Sequence, residues 1–240
     1  MAQATERAVL VVSHGSPSHP VSQEIAMRDL ACRFRALLPG REVRAVTLAA
    51  RTVLPKVVAG LEDPILCPWF MSDGWFVRTH LPNRLAEAGL SRWVSTPPLG
   101  LMPGLGELMT ARLQVRLDQL GWAPEQTTVI LAAHGSPSSA KPREATEAAA
   151  KALARRGGFK AIHPCYVDEP PAIRDIARRS GQAIVLPFFA ARAGHVTGDL
   201  PEELAAAAFD GPVLDPVGVW PETTALALAA ITHLQRASAA

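Results

Sequence analysis

A short phrase that occurs twice limits the folds open to this chain. An apolar run leads into His14-Gly15-Ser16-Pro17 near the start, and a second apolar run leads into His134-Gly135-Ser136-Pro137 in the middle. Each run is long enough for one buried strand, and a glycine after the histidine permits a sharp turn where the strand ends. The chain is therefore expected to contain two related α/β units, each with a histidine at the carboxyl edge of its sheet.

The repeat extends over nearly the whole chain at an almost constant offset. Pro68-Trp69-Phe70 corresponds to Pro187-Phe188-Phe189, and Leu81-Pro82 corresponds to Leu200-Pro201. Between the copies lies Gly121-Trp122-Ala123-Pro124, a joint that contains glycine and proline. We therefore predict two similar domains at residues 1–122 and 123–240.

Within each half, apolar runs of strand length alternate with segments rich in helix formers. Strands are predicted near 8–13, 43–49, 64–70 and 93–96 in the first half, and near 127–133, 160–166, 182–189 and 212–215 in the second. Helices are predicted near 21–38, 53–61, 80–89 and 104–120, and near 142–156, 171–180, 200–209 and from 221 onward. This alternation predicts an α/β fold of two doubly wound domains, each a mainly parallel four-stranded sheet with helices on both faces, and a cleft between them.

Composition narrows the classes of protein. A hydrophobic content of 48% with 19% charged residues is typical of globular chains, and a net charge of +2 does not indicate a nucleic-acid partner. The sequence has no apolar stretch of about 18 residues and its first residues lack a signal-peptide pattern, so we expect a cytoplasmic protein without a membrane partner. Its three cysteines are widely spaced, which predicts buried free thiols. We expect a monomer or a homodimer.

Two histidines of the second half are predicted to face one another. His134 ends the first strand, and His195 lies a few residues beyond the third. In the common strand order 2-1-3-4 these strands are neighbours, and their carboxyl ends frame a crevice. Two imidazoles there can bind Co²⁺, Fe²⁺, Ni²⁺ or Zn²⁺, and they accept protons near neutral pH. A lone histidine at a strand end is more often structural, so it is the pairing that favours a functional site. Gly194 and Gly198 would let the His195 loop approach a flat ligand.

These residues resemble the class II tetrapyrrole chelatases. His-Gly-Ser-Pro after the first strand, and Gly-His-Val-Thr-Gly-Asp-Leu-Pro at 194–201, are similar to the motifs of the sirohydrochlorin cobaltochelatases and ferrochelatases, a family that includes long, two-half forms. The resemblance implies insertion of a divalent metal into a sirohydrochlorin-type tetrapyrrole, in cobalamin or siroheme biosynthesis. Co²⁺ is the expected metal, with Fe²⁺ or Ni²⁺ as alternatives. Metal and tetrapyrrole would both be substrates, and no organic cofactor is implied.

The resemblance also assigns roles to single residues. By motif position, His134 and His195 would bind the metal and accept the pyrrole protons. The position of a further carboxylate ligand in the family holds Val167 here, which makes Glu169, two residues on, the candidate for that catalytic role. The residues expected to contact the tetrapyrrole are Ser136, Arg192 and Gly194 in the second half and His14, Trp75 and Phe76 in the first.

The first half departs from the motif. Aligned without gaps, Phe76 stands opposite His195 and His80 stands opposite Asp199. We therefore predict that the second half is catalytic and that the first is a degenerate copy, which covers the substrate with Trp69, Trp75 and Phe76. Whether His14 or His80 takes part in metal binding is left open.

Two other functions, a carrier and a phosphoryl-transfer enzyme, are alternatives to metal insertion. A non-catalytic carrier of a tetrapyrrole or a metal would use the same cleft and the same histidines. A histidine-dependent phosphoryl-transfer enzyme would need arginine immediately before His-Gly, where this chain has Ser13 and Ala133. The sequence also lacks a Gly-x-x-x-x-Gly-Lys phosphate loop. Metal insertion is therefore the favoured function, with the carrier as the alternative.

Overall fold

The computed structural model describes residues 7–15 and 20–239, which form two parallel sheets with helices. The first sheet has the order β2-β1-β3-β4 and the second has the order β6-β5-β7. The strands are Val9–Ser13 (β1), Val43–Thr47 (β2), Ile65–Pro68 (β3), Val94–Ser95 (β4), Thr128–Ala133 (β5), Ala161–Tyr166 (β6) and Ala183–Pro187 (β7). The helices are Pro20–Leu37 (α1), Leu54–Val58 (α2), Leu81–Glu87 (α3), Leu105–Leu120 (α4), Lys141–Arg156 (α5), Ile173–Arg179 (α6), Leu200–Ala206 (α7) and Pro221–Ala239 (α8).

The first strand of each half is the centre of its sheet. Val9 of β1 pairs with Val43 on one side and with Ile65 on the other. β5 likewise pairs in parallel with β6 and β7. Both central strands are buried along their whole length, which explains why they read as continuous apolar runs. The predicted α/β fold, with the first and third strands adjacent in each half, is confirmed.

The strand predicted at 212–215 is wrong. This segment makes a single parallel bridge between Val185 and Val213, so the second sheet has three strands. The bridge holds because the Val185 N–H donates to the carbonyl of Pro212 at 2.9 Å and the Leu214 N–H donates to the carbonyl of Val185 at 3.0 Å. Pro212 and Pro216 have no N–H, which leaves the pairing short on both sides.

The chain packs as two compact units that divide it differently from the sequence repeat. One unit is Met1–Met102 together with Thr224–Ala240, and the other is Pro103–Thr223. α4, the last helix of the first half, therefore belongs to the unit that contains the second sheet, and most of α8 belongs to the unit that contains the first. The contact of α4 with α5 is close, since a Cβ built on Gly106 would lie 2.7 Å from Cβ of Ala152. The domain boundary predicted after residue 122 follows the repeat and differs from this packing by one helix in each half.

Two further expectations concern the cysteines and membranes. Cys67 and Cys165 are buried free thiols, as predicted. The prediction is wrong for Cys32, which is exposed because it lies on an outward face of α1. Among the described residues, the helices are too short or too polar to span a bilayer.

Candidate functional site

The turn after β5 places His134 at the edge of the second sheet. Its next residue, Gly135, has a φ of +75°, a conformation that side chains with a Cβ rarely adopt. A Cβ at Gly135 would also lie 2.7 Å from Cγ of Glu169 and 2.9 Å from Cβ of Tyr166. Only glycine fits this turn. The His-Gly phrase is therefore a steric requirement of the local backbone as well as a chemical motif.

A π turn positions the second histidine. Residues His195–Asp199 form this turn directly before α7, and the N–H of Leu200 donates to the carbonyl of His195. Pro201 accounts for the wide turn, because proline has no N–H to donate and its ring would clash with the carbonyl four residues earlier. The turn brings Oδ2 of Asp199 to 2.5 Å from Nδ1 of His195.

The two imidazoles meet as the strand order predicts. Nε2 of His134 lies 2.8 Å from Nε2 of His195, and the rings are nearly perpendicular at an interplanar angle of 84°. Both side chains are about half exposed. Two nitrogens bound to one metal at about 2.1 Å each would lie roughly 3.0–3.4 Å apart. The observed separation is close to that range, so the pair could bind one metal ion after a small adjustment.

The other ring nitrogens of the pair, the two Nδ1 atoms, both face oxygen acceptors. Nδ1 of His195 faces the carboxylate of Asp199. Nδ1 of His134 faces the carbonyl oxygen of Gly135 at 2.9 Å and Oδ2 of Asp168 at 3.3 Å. Because all three partners are acceptors, each Nδ1 carries a proton, and in neutral rings both Nε2 atoms then present lone pairs. Lone pairs at this distance repel one another unless a proton or a metal ion lies between them.

Glu169, the predicted further metal ligand, contacts Ser136 and Arg143 through its carboxylate. Its Oε1 accepts the N–H of Ser136 at 3.1 Å, and its Oε2 accepts Nε and Nη2 of Arg143 at 3.1 and 2.6 Å. This hydrogen bond raises the pKa of the Arg143 guanidinium above its ordinary value. Arg143 also lies over the ring of Tyr166, and only 12% of the Glu169 side chain is exposed. Glu169 thus braces the turn that carries His134.

A third metal ligand is not assembled around the histidine pair. Within residues 7–15 and 20–239, no group of three or more His, Cys, Asp or Glu side chains is arranged to hold a metal ion. The side chains that face the pair, Asp168 and Asp199, contact its Nδ1 atoms instead. They fix ring orientation and stabilise positive charge on the imidazoles.

The remaining predicted contacts of the second half surround this pair. Ser136 follows Gly135 in the same turn, and its Oγ lies 3.3 Å from Oγ of Ser138. Gly194 directly precedes the π turn, with open space where a Cβ would stand. Arg192, another of the expected tetrapyrrole contacts, forms an ion pair with Asp215. Whether these residues contact a tetrapyrrole stays a prediction.

Sequence reasoning missed two side chains that order the site. Asp199 stands four residues after His195, a spacing that places two side chains one turn apart in a helical segment, so the signal was readable. Arg143 reaches Glu169 from α5, across 26 positions and a separate element, and no spacing rule indicates that contact.

The first half repeats this architecture with different side chains. Phe76–His80 forms the corresponding π turn, again before a Leu-Pro helix start, and Gly15 has the same φ of +75° as Gly135. The rings of His14 and Phe76 lie 4.2 Å apart at 84°, against 4.1 Å and 84° for His134 and His195. Phe76 has no ligating atom, so this pair cannot bind a metal as the other could.

One aromatic side chain of the first half does not lie where it was expected. Trp69, predicted to face the substrate, is 2% exposed and packs edge-on against Phe34 in the core. It follows directly after β3, whose residues are all buried, and that position directs its ring inward. Trp75 and Phe76, by contrast, are exposed.

Comparisons with known proteins agree with this architecture. A family model described as CbiX matches the chain twice, over residues 8–115 and 128–233. A structure described as CbiX, the terminal enzyme for biosynthesis of siroheme in denitrifying bacteria, is 39% identical with a TM-score of 0.87, covering 95% of this chain and 99% of that one. A comparison with curated proteins finds no match.

Two further solved structures share the fold. A multi-domain protein of Deinococcus radiodurans, described as structurally similar to chelatases but with two additional domains, is 25% identical with a TM-score of 0.75. The match covers 95% of this chain and 55% of that one. SirB from Bacillus subtilis, solved with Fe³⁺, is 16% identical with a TM-score of 0.73 and 95% coverage of both chains. At that identity the likeness concerns the fold alone.

Proposed function

Because this chain belongs to the CbiX family of chelatases, we propose that it inserts a divalent metal ion into a sirohydrochlorin-type tetrapyrrole. The observation that carries the proposal is the facing pair of His134 and His195, with Nε2 atoms 2.8 Å apart and acceptors on both Nδ1 atoms. The pair is suited to a borderline metal ion that must be bound and then released, since two imidazoles bind such ions without enclosing them.

The same pair supplies the proton chemistry that insertion requires. Two pyrrole N–H protons must leave the ring as the metal enters it. The Nε2 lone pairs that held the metal become available when it moves to the ring, and they accept those protons. The carboxylates of Asp199 and Asp168 stabilise the charge that develops on the imidazoles. Glu169 acts one step further away, by holding the turn of His134 in place.

Three divalent metals are candidates for the metal substrate. Imidazole ligands suit Co²⁺, Fe²⁺ and Ni²⁺, and the resemblance of the sequence motifs favours Co²⁺ among them. The relative that is 39% identical is described as the terminal enzyme for siroheme biosynthesis, which favours Fe²⁺. Fe²⁺ and Co²⁺ are therefore the first two metals whose insertion rates should be compared, and Ni²⁺ is the third.

A spectroscopic assay tests the proposal. Purified protein is mixed anaerobically with sirohydrochlorin and each of the three metals, and insertion is followed in the visible spectrum. We expect acceleration over the protein-free rate with at least one metal, and its loss in His134→Ala and in His195→Ala. His163→Ala, which removes an exposed histidine on β6 of the same unit, is the matched control and should retain the wild-type rate.

Two outcomes would contradict the proposal. If no metal is inserted faster than in the absence of protein, the chain is not a chelatase of this substrate. If both histidine variants keep an accelerated wild-type insertion rate, the facing pair of His134 and His195 does not carry the reaction. If the tetrapyrrole binds but insertion is no faster than without protein, the carrier function replaces the enzymatic one. His14→Ala should reduce the insertion rate less than His134→Ala or His195→Ala does.

A further inference from the structure

Three site positions of the second half are occupied by aromatic rings in the first. Trp75 stands at the position of Gly194, Phe76 at that of His195, and His80 at that of Asp199. The backbone is nevertheless the same in the two halves, because both segments form a π turn of five residues before a Leu-Pro helix start. The side chains therefore differ on a shared backbone frame. Trp75 and His80 are rings where the second half has none, and Phe76 is an apolar ring where the second half has an imidazole.

Loss of metal binding does not by itself account for these rings. Replacing His195 by any residue without a ligating atom would remove the metal pair, and a small polar side chain would do so with less exposed apolar surface. Instead, Trp75 is 56% exposed and Phe76 is 38% exposed. Because Trp75 and Phe76 are adjacent, their rings form one contiguous exposed apolar surface, and contiguous surfaces of this kind are where ligands and partners bind.

The rings are also held in a fixed arrangement. Trp75 stacks on His80, with centroids 5.0 Å apart and planes 19° from parallel, and its edge packs against Phe76 at 5.1 Å. Phe76 in turn lies edge-on to His14 at 4.2 Å. Each ring therefore restrains its neighbour although the group is open to solvent. A flat ligand that binds to such a restrained surface loses less free energy in ordering side chains.

We propose that these four rings, His14, Trp75, Phe76 and His80, here called the aromatic cluster, bind one face of a tetrapyrrole without contacting its metal. The assignment rests on the proposed function, which supplies the ligand class, and on the repeat, which makes the cluster the counterpart of the metal site. Contact with the apolar rings of Trp75 and Phe76 recognises the conjugated plane and not the metal. The cluster should thus bind the metal-free tetrapyrrole and its metallated product with similar affinity.

A binding titration separates this role from catalysis. Sirohydrochlorin is titrated into wild-type protein, Trp75→Ala/Phe76→Ala and the control Ile25→Ala, which shortens an exposed apolar side chain on α1. We expect the double variant to weaken binding about tenfold or more, since two stacking rings are lost, and the control to match wild type. In the insertion assay the same variant should raise KM for the tetrapyrrole with little change in kcat.

A second measurement does not depend on a variant. Oxidative footprinting of wild-type protein, read by mass spectrometry, should show Trp75 protected when sirohydrochlorin is added, whereas exposed Val115 on α4 should be unaffected. The inference is wrong if Trp75 is not protected while the tetrapyrrole is bound, or if the double variant binds it as wild type does. It is also wrong if the double variant changes only self-association. None of these results touches the proposed function, which fails instead if wild-type protein neither binds nor metallates sirohydrochlorin.

Discussion

Replacing Gly135 by alanine tests whether the turn after β5 positions the metal pair. A methyl group there would lie 2.7 Å from Cγ of Glu169 and 2.9 Å from Cβ of Tyr166, at a φ of +75°. The left-handed conformation costs about 1–2 kcal/mol for a residue with a Cβ, and the overlap adds about 1–3 kcal/mol. We therefore expect the free energy of unfolding to fall by about 2–5 kcal/mol.

The effect on catalysis should exceed the effect on folding. Glu169 cannot move aside without leaving Arg143 and the N–H of Ser136, so the strain is transferred to the turn and to His134. A displacement of about 1 Å between reacting groups can cost about a hundredfold in rate. The expected result for Gly135→Ala is therefore a loss of insertion activity of that order in protein that is still folded.

The repeat provides a matched control for this variant. Gly15 has the same φ of +75°, and a Cβ there would lie 2.5 Å from Cβ of Thr47. Gly15→Ala should lower the free energy of unfolding by a similar amount, measured by urea denaturation, yet leave kcat at saturating tetrapyrrole close to the wild-type value. The reasoning is refuted if both variants lose kcat equally, or if Gly135→Ala is as stable and as active as wild type.

Three other perturbations give defined outcomes. Glu169→Gln should lower the free energy of unfolding by about 1–3 kcal/mol, because the ion pair with Arg143 is lost. Its affinity for Co²⁺, measured by isothermal titration, should equal that of wild type, and a lower affinity would make Glu169 a metal ligand. Asp199→Asn should weaken Co²⁺ binding about 10- to 100-fold, because the Asp199 carboxylate orients the ring of His195. An unchanged affinity would contradict that role. Burial raises the pKa of Cys67 and of Cys165 to about 12, so a thiol reagent at about pH 8 should modify only Cys32 in native protein, and three modified thiols would contradict their burial. The folded state favours both buried thiols in their protonated form, so their contribution to stability is complete below about pH 9 and declines as the pH rises toward 12.

The fold and the histidine pair could be predicted because both depend on rules that act along the chain. Apolar runs identify buried strands, and the strand order of doubly wound sheets brings the ends of the first and third strands together. From this alone His134 and His195 were expected to converge, and their Nε2 atoms do meet at 2.8 Å. The π turn was not expected, although its physical cause, Pro201 after a leucine, is visible in the sequence.

The role of Glu169 depends on contacts that no local pattern reports. Its position near the end of β6 resembles that of a ligand, and the sequence contains no sign that Arg143 will reach it from α5. The strand expected at 212–215 is a different kind of error. Its apolar character was read correctly, but hydrogen-bond donors decide how far a strand extends, and Pro212 and Pro216 lack them.

The two halves show which features of such a site can be lost separately. Two backbone features depend on local sterics and occur in both copies. One is a glycine with φ of +75° after the first strand, and the other is a proline in the first turn of the helix that follows the π turn. Metal binding by such a pair, in contrast, would require lone pairs on two facing rings. Phenylalanine in place of the second histidine removes one of them, while the perpendicular ring contact remains at 4.2 Å. A duplicated chain can therefore keep one geometry and divide the chemistry. One copy has the facing imidazole pair that we propose binds the metal, and the other has Trp75 and Phe76 exposed on the same frame, rings whose chemistry suits the plane of a tetrapyrrole.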